Sequence, residues 1–599
     1  MFNSNYGGKK MMKKLADTIF YLWPLAAVLT LYGCIDEETP TNSATKEQIE
    51  GSGSSFAMLV NGLNSKMISY ENYYTSSDSY SYVGTWYATQ DWGYPCYMYV
   101  RETLLDGFPT TDTSWNYQLY FEQATDLTAS TAPVYYYYYS LINNANRILA
   151  SQDEQTASTS IRQSLGKTRV YRALSYMDLS MMFEFYRTGN AELDGKAEDV
   201  WGLTVPIVTE KTTNSEAKNN PRAPFYKMYR FIYSDLSKAE EDLKDFVRGQ
   251  KNEVNIDVVN GMLARFWLNM ATRFRKNPED LALQLQHEGD DDGFHALGIA
   301  TASDCYRLAS AYAQKVISAG YSPVTESQWH DSATGFNTAN QAWVWDMRFS
   351  AIEQVPDYWC TIMGLTASEP TWGMPAYGDA YRCISKRYYD KIQEGDWRKT
   401  TWIDPKDAEA VNVPEKYNSL LADDNVASRA QNTNFSRLPA YANLKYRPGS
   451  GDIIDDQKGL LCDIPLMRVE EMYFIQIECD YYLNGLEAGI AGLESFMNAY
   501  RWGDTGRYVC DASYSTAFVY ELMVQKYIEF WGEGILYNDF KRLRLGITRT
   551  YEGSNYLEAY QINSKDGYCA PWLNFFIPEA ERSFNQGIEM NPDPTPYCN

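Results

Sequence analysis

Apolar residues recur at helical spacing in several long segments, and this pattern constrains the fold more than any other feature of the sequence. In NGMLARFWLNMATRF, Leu263, Trp267 and Met270 are separated by four and then three residues, so they share one face of a helix. A face of this kind must be covered by a neighbouring element. The sequence therefore predicts a mostly α-helical body. The same spacing occurs in further segments: 166–186, 223–243, 304–321 and 521–534.

Small residues on these segments allow neighbouring helices to approach closely. The residues concerned are Ala173, Ala264, Ala309 and Ala313. Helix pairs built in this way resemble tetratricopeptide hairpins, although the 34-residue consensus of that repeat is not evident. We therefore expect tetratricopeptide-like helical hairpins without a regular sequence repeat.

The helical period is lost between about 325 and 465. This stretch is rich in Trp, Gly, Pro and Asn, as in SEPTWGMPAYGDAY. A long segment without periodic structure inside a compact protein usually carries function or is disordered, and the many aromatic residues argue against disorder. We predict an irregular lobe of loops and short strands on the helical scaffold.

The charge of the chain excludes some classes of partner. Its 599 residues include 53 Lys and Arg against 77 Asp and Glu, giving a formal net charge of -24. Nucleic-acid binding needs stripes of basic residues, and attraction to an anionic membrane needs a polybasic segment. The composition therefore argues against nucleic acid and against an electrostatic contact with anionic lipid.

An apolar run near the N-terminus ends in a cysteine. Residues 9–34 read KKMMKKLADTIFYLWPLAAVLTLYGC, which has the basic start and the apolar centre of a secretory signal. The run is short for a membrane-spanning helix. LYGC matches a lipobox, in which a small residue, here Gly33, precedes the cysteine that receives diacylglycerol. We predict a lipoprotein signal peptide over 1–33 and lipidation of Cys34; the alternative is an ordinary secreted protein with an incidental cysteine.

The segment after Cys34 is acidic and polar. It reads IDEETPTNSATKEQ and lacks the apolar residues that a folded core needs. We predict a flexible tether over 34–50 and a folded body over 51–599.

Residues suited to catalysis or to metal binding are sparse. The chain has three histidines, no C-x-x-C pair, and none of the P-loop, nucleophile-elbow or H-E-x-x-H motifs. We predict no catalytic residue, no metal and no cofactor, although a pair of glycosidase carboxylates cannot be recognised or rejected from spacing. GDDDG (289–293) is either a calcium loop of unusual spacing or a solvated turn. Nine cysteines besides Cys34 imply at least one free thiol.

Several motifs occur in an order that resembles one family. The strongest is IPLMRVEEMYFIQIECDYYLNG, followed by ESFMNAYRWG, by ELMVQKYIEFWGEGILYNDFKRLRLG and by FFIPEAERSFNQG near the C-terminus. Upstream, LINNANRILA and YRALSYMDLSMMF precede VPIV. In this order and behind a lipobox, the chain resembles the SusD/RagB family of outer-membrane nutrient-binding lipoproteins.

The resemblance implies a SusD-like fold and a cell-surface function. Members of the family sit in the outer membrane through an N-terminal lipid, face the cell exterior and form a lid on a SusC-like TonB-dependent transporter. They capture a ligand, usually an oligosaccharide and sometimes a peptide, and pass it through the barrel. The resemblance therefore implies a glycan ligand, with a peptide or another nutrient as the alternative.

The motif residues themselves are interpreted as structural. Glu470 and Glu471 are predicted to start a helix, where acidic side chains favour the dipole. Asp539, Lys541, Arg542 and Arg544 are predicted to pair locally rather than to act on a substrate.

Ligand contacts are predicted on aromatic loops. A sugar places polarised C–H groups on an aromatic face and hydroxyl groups against carboxylates, amides and arginines. GTWYATQDWGYPCYMYV (84–100) has a loop-like first part, and from Cys96 onward it is predicted to form a helix after Pro95. SEPTWGMPAYGD (368–379) is the second such stretch. The predicted ligand-binding residues, each with core packing as its alternative, are Trp86, Asp91, Trp92, Tyr94, Trp115, Trp372 and Tyr377.

Overall fold

The computed structural model describes most of the chain beyond residue 52. The described residues are 53–68, 93–112, 131–351, 354, 361–408, 414–421, 438–503 and 506–598. Two compact units divide the chain, Met1–Ser55 and Phe56–Asn599. The predicted signal peptide and tether lie outside the described residues, and their boundaries remain predictions.

Long helices form where the apolar period predicts them. Together with shorter ones, the helices described in the first half of the chain are α1 (Gly53–Ile68), α2 (Tyr94–Thr103), α3 (Ala132–Ala150), α4 (Thr159–Phe183), α5 (Ala191–Lys196), α6 (Asn214–Ala217), α7 (Phe225–Leu243), α8 (Ile256–Lys276), α9 (Pro278–Gln286) and α10 (Ala302–Ile317). Leu263, Trp267 and Met270, from which α8 was predicted, are all buried. The apolar face of α8 therefore lies in the core.

Side-chain caps explain where several of these helices begin. Asn255 accepts a hydrogen bond from the backbone N–H of Val258 at the start of α8. Thr301 and Asp304 form a reciprocal capping box at the start of α10. These side chains satisfy backbone N–H groups that the first turn of a helix leaves without partners.

Within the described residues of the predicted irregular lobe, the helices and strands are short. They are α11 (Glu326–Trp329), β1 (Trp343–Arg348), α12 (Ile362–Thr366), α13 (Gly373–Gly378), α14 (Lys386–Tyr389), α15 (Asp456–Gly459) and β2 (Asp463–Arg468). The two strands pair antiparallel, with Asp346 opposite Pro465 and Arg348 opposite Asp463. This pairing closes the lobe back onto the helices, because β2 leads directly into the next helix.

The C-terminal part returns to helices. They are α16 (Val469–Asn484), α17 (Leu486–Tyr500), α18 (Ser515–Phe530), α19 (Leu536–Leu543) and α20 (Glu581–Phe584). Short 3₁₀ turns occur at Glu198–Val200, Trp397–Thr401, Glu415–Leu420, Gly449–Gly451, Glu558–Tyr560, Pro571–Leu573 and Thr595–Tyr597.

Most of the long helices pack side by side, each against the next. Contacts run from α3 to α4, α7, α8, α10, α16 and α17 in turn. Small residues lie at these interfaces, because the four predicted alanines are fully buried and a Cβ on Gly166 of α4 would lie 2.8 Å from the Asp242 Cβ of α7. The predicted fold class, a mostly α fold of helical hairpins with an irregular lobe, is confirmed.

Within the part of the chain that the structure describes, no helix combines the length and the apolar character that crossing a membrane requires.

Gly534 joins two parts of the core in the turn between α18 and α19. Its φ is +70°, and an added Cβ would lie 2.6 Å from the Cα of Met98 in α2. Its backbone N–H also donates to Oε1 of Glu102, at 2.8 Å. Glycine is required here both by the backbone conformation and by the close approach of another backbone.

We expect Gly534→Ala to destabilise the protein more than Gly298→Ala. Gly298 has nearly the same φ, +68°, but no atom within 4 Å of an added Cβ. The control should lose about 1 kcal/mol from the left-handed backbone alone, whereas Gly534→Ala should lose roughly 2 kcal/mol more from the clash. Urea unfolding of both variants measures the difference. Equal losses would show that the turn moves away from α2 at little cost.

Candidate functional site

The motifs that suggested the family converge on one buried cluster of charges. We call it the central ion cluster, formed by Arg398, Lys445, Arg468 and Arg501 with Asp396, Glu470, Glu529 and Glu533. All eight side chains are buried. The prediction that the motif residues are structural is therefore borne out for Arg468, Glu470, Arg501 and Glu529.

Glu529 lies at the centre of this cluster. Its carboxylate accepts hydrogen bonds from Arg501 Nε at 2.7 Å, from Arg468 Nη1 at 3.1 Å and from Arg398 Nη1 at 3.0 Å. Burial by itself raises the pKa of Glu529, but the attraction of the three guanidinium groups, that of Arg501 first, holds it well below its usual range. Glu529 is therefore a permanent anion and is unsuited to proton transfer.

Lys445 joins the cluster from the irregular lobe. Its Nζ donates to the backbone oxygens of Glu529 and Trp531, at 3.0 and 2.8 Å, and to Oε1 of Glu533 at 2.6 Å. Burial lowers the pKa of Lys445 to about 8, against the opposing attraction of Glu533. With all three donors engaged, this lysine is held in a structural position.

A second buried set lies along α19. Arg542 makes a two-fold contact with Glu478, with both N–O distances 2.6 Å, and also binds Asp539, which pairs with Lys526. Asp539 and Arg542 thus pair locally, as predicted.

The prediction of local pairing is wrong for Lys541 and Arg544. Lys541 Nζ donates to the backbone oxygens of Met182, Glu184 and Leu573. Arg544 donates to Oδ1 of Asn277. Both side chains reach parts of the chain that are distant in sequence, because α19 is packed inside the body.

Tyr94 lies in a buried helix and not, as was predicted, on a loop. It is the first residue of α2, not part of the preceding loop, and only 5% of it is exposed. Its hydroxyl donates to Oδ2 of Asp178 at 2.8 Å, and the same oxygen accepts from Tyr138. Arg101 lies 3.2 Å from the other oxygen of Asp178. Tyr94 therefore presents no ring face to solvent.

Tyr94 and Arg101 line a polar cavity of about 50 Å³ between α2, α4 and α8. Its wall also includes Asp178, Arg265 and Asn538. Pockets for organic ligands usually have volumes of about 300 Å³ or more, whereas one water needs roughly 10–15 Å³. The cavity has the size and polarity for a few waters and is too small for a sugar ring.

Trp372 also lies in the interior. It immediately precedes α13 and is 1% exposed. A Cβ on Gly459 would lie 2.8 Å from its Nε1, so the indole packs against the backbone of α15. Tyr377 lies within α13, and its side chain is outside the described residues. Trp372 offers no stacking surface to a ligand in solution.

The other predicted residues lie in segments that the structure does not describe. They are Cys34, Trp86, Asp91, Trp92 and Trp115. Their predicted roles in lipidation and in ligand binding remain predictions.

Metal chemistry has no site within the described ranges. No group of three or more His, Cys, Asp or Glu side chains there is arranged to hold a metal ion. In the GDDDG loop, the buried guanidinium of Arg230 is bound by the Asp292 carboxylate and by the backbone oxygens of Asp290 and Phe294. The eight described cysteines are all buried, and the free thiols among them, which agree with the expected free thiol, include Cys305, Cys383, Cys462, Cys479, Cys510 and Cys569.

Asp346 is a buried acid that was not among the residues predicted from sequence. Asp346 of β1 is fully buried, and neither carboxylate oxygen has a hydrogen-bond partner among the described residues. Burial, and next the neighbouring Asp463, raise its pKa to about 7, although Arg348 lies 3.8 Å away. A charged residue within the apolar run AWVWDM was the available sequence signal.

Comparisons with known proteins agree with this architecture. Residues 98–268 match a family model described as SusD-like_3, starch-binding associating with outer membrane. No curated protein matches the sequence.

Solved structures share the fold over most of the chain. A SusD-like carbohydrate-binding protein from Bacteroides vulgatus aligns with a TM-score of 0.62 and 18% identity, covering 90% of this chain and 97% of its own. A SusD superfamily protein from Bacteroides thetaiotaomicron gives 0.60 and 15%, covering 90% and 100%. A laminarin-binding SusD-like protein gives 0.56 and 15%, covering 90% and 99%. The family predicted from the motifs agrees with the family model over residues 98–268 and with the fold shared by these structures.

We expect Asp346→Asn to remove a pH dependence of stability. The raised pKa means that the folded wild type holds a proton which the unfolded chain releases above about 3.9. This contribution to stability is fully present below that pH and is lost as the pH rises through about 7. Because asparagine stays neutral, the stability of the variant relative to wild type should increase by roughly 2–3 kcal/mol between pH 5 and pH 8.

Denaturant unfolding at the two pH values measures this difference. Asp511→Asn is the matched control, since that carboxylate is 77% exposed and should show no such increase. An Asp346→Asn variant whose stability runs parallel to wild type across this range would contradict the buried neutral acid.

Proposed function

We propose that this chain is a cell-surface lipoprotein of the SusD/RagB family that binds oligosaccharides or polysaccharides and delivers them to a SusC-like TonB-dependent transporter. The observation that carries the proposal is the match of residues 98–268 to a family described as starch-binding and associated with the outer membrane. The shared fold with a carbohydrate-binding and a laminarin-binding protein supports it.

The use of ionisable groups in the body supports binding rather than catalysis. The central ion cluster pairs its carboxylates with arginines and a lysine in the interior, which leaves them inaccessible to a substrate. A glycosidase needs one carboxylic acid and one carboxylate facing the same sugar. We therefore propose that the protein is not an enzyme.

We assign glycan contact to the loop residues Trp86, Trp92 and Trp115, with Asp91 as a hydrogen-bonding neighbour. Aromatic faces match the C–H side of a sugar ring, and a carboxylate accepts hydrogen bonds from its hydroxyl groups. Tyr377 of the second aromatic stretch is a further candidate. Tyr94 and Trp372 are assigned to packing because both are buried.

We expect Trp86→Ala and Trp92→Ala to weaken glycan binding without loss of stability. Each should reduce affinity by about three- to tenfold, the effect of one stacked ring. Affinity electrophoresis against a panel of polysaccharides, with starch and laminarin included, measures it. Trp372→Ala is the comparison, since removal of a fully buried indole should cost about 3–5 kcal/mol of folding stability.

The binding assay also separates the two ligand classes. If no polysaccharide retards the wild-type protein and peptides bind to it, the ligand is a peptide and not a glycan. Release of reducing ends from a bound glycan would contradict the non-catalytic assignment.

We expect Cys34→Ala to abolish the membrane anchor. The body carries no polybasic segment to retain it, so acyl chains attached at Cys34 are the proposed anchor. In cells, wild type should fractionate with the outer membrane and incorporate labelled fatty acid, whereas the variant should do neither. A variant that remains membrane-bound without label would show another means of attachment.

A further inference from the structure

One tryptophan in the described part of the chain is exposed. Trp201 keeps 36% of its surface, while the other described tryptophans are buried or, for Trp502, partly buried. Its sequence neighbours Glu198 and Asp199 are also exposed. Trp201 was not among the residues predicted from sequence.

The backbone holds Trp201 in a fixed position. Val200 is buried in a small core cluster with Phe185, Leu193 and Ala197. Gly202, with φ +75°, accepts a hydrogen bond from the backbone N–H of Phe225 at 2.8 Å. The exposed ring thus projects from a short segment that is anchored on both sides.

A second aromatic ring, that of Tyr568, lies close to the backbone segment 187–189, which also supplies the arginine beside Trp201. Arg187 places its guanidinium carbon 4.1 Å from the centre of the Trp201 ring, and its carbonyl accepts from the N–H of Cys569 at 3.0 Å. A Cβ on Gly189 would lie 2.9 Å from Cγ of Tyr568. Lys565 lies 4.8 Å from the centre of the Tyr568 ring. The segment 187–189 therefore joins two aromatic rings, each with one adjacent cation.

We propose that Trp201 and Tyr568, with Arg187 and Lys565, form a second glycan-contact surface, which we call the Trp201 platform. It rests on the proposed glycan-binding function and lies outside the loops to which that function is assigned. The rings supply faces for sugar C–H groups, and the arginine and lysine supply donors for hydroxyl oxygens. The backbone at Trp201, Arg187 and Tyr568 is held by hydrogen bonds or by buried neighbours, so little backbone ordering is required on binding.

The surroundings favour a sugar over a protein partner. Arg187, Gly189, Glu198 and Asp199 are exposed around the ring, and the other large exposed apolar side chains belong to other segments of the described chain. A protein interface has an apolar core depleted of charged residues. Aromatic rings among charged and polar groups instead suit a ligand that carries hydroxyl groups around its apolar faces.

The small number of rings in the Trp201 platform favours a long glycan. A surface with two rings contacts few sugar units and binds weakly by itself. On a chain that already holds the same polysaccharide elsewhere, a second contact becomes intramolecular and raises the overall affinity. The ligand class is therefore a polysaccharide long enough to reach both surfaces.

The test compares a polysaccharide that wild type binds with a trisaccharide cut from it. Trp201→Ala should weaken binding of the polysaccharide by about three- to tenfold and leave that of the trisaccharide unchanged, while Trp201→Phe should retain most of the affinity. Phe584→Ala, which removes another exposed ring, is the matched control and should change neither. The thermal unfolding midpoint of each variant checks that the fold is intact.

The outcomes separate this proposal from the function on which it rests. Polysaccharide binding by Trp201→Ala equal to that of wild type, with a loss in Trp86→Ala, would overturn the Trp201 platform alone. Equal losses for polysaccharide and trisaccharide would place Trp201 in the primary site and overturn the second surface. Wild type that binds no glycan would overturn both.

Discussion

The interaction on which the body depends most is the contact of one carboxylate, Glu529, with three arginines. Arg398 comes from the irregular lobe, Arg468 from the junction of β2 and α16, and Arg501 from the end of α17. Each charge by itself would be costly to bury, but together they compensate one another. Removal of any one leaves the remaining buried charges out of balance, so the lobe and the helices hold each other in place. The cluster therefore explains how a region without periodic structure has a defined position.

The same arrangement limits what the interior can do. A carboxylate surrounded by guanidinium groups cannot take up a proton near neutral pH, and a lysine with its donors engaged cannot act as a nucleophile. Asp346, whose pKa burial raises to about 7, lies within the paired strands of the irregular lobe and does not line the polar cavity beside Tyr94. Recognition in such a body is left to its surface, where rigid side chains meet a ligand at low entropic cost.

Sequence patterns predicted the helices well because the pattern that makes a helix amphipathic is local. Leu263, Trp267 and Met270 are buried as their spacing indicates. The pairing of β1 with β2 was beyond this reasoning, since it joins residues more than a hundred positions apart and has no local signature. The burial of two predicted ligand residues likewise depends on partners distant in sequence. Tyr94 is held by the carboxylate of Asp178, and Trp372 packs against the backbone at Gly459. Trp201 was missed because exposure depends on what the rest of the chain leaves uncovered.

Whether an aromatic residue packs in the core or is exposed depends on the geometry of its neighbours and not on the number of aromatic residues in the chain. In α2 the tyrosines are buried and edge against other rings, as Tyr94 does against Tyr138. At Trp201 a ring of the same general chemistry is stacked on a cation and open to solvent. A buried ring contributes through its whole area, whereas an exposed ring contributes to folding only through the part that is covered. The uncovered part of the Trp201 ring is available to a ligand. An exposed aromatic face among charged side chains is therefore the physical reason to expect a ligand contact there.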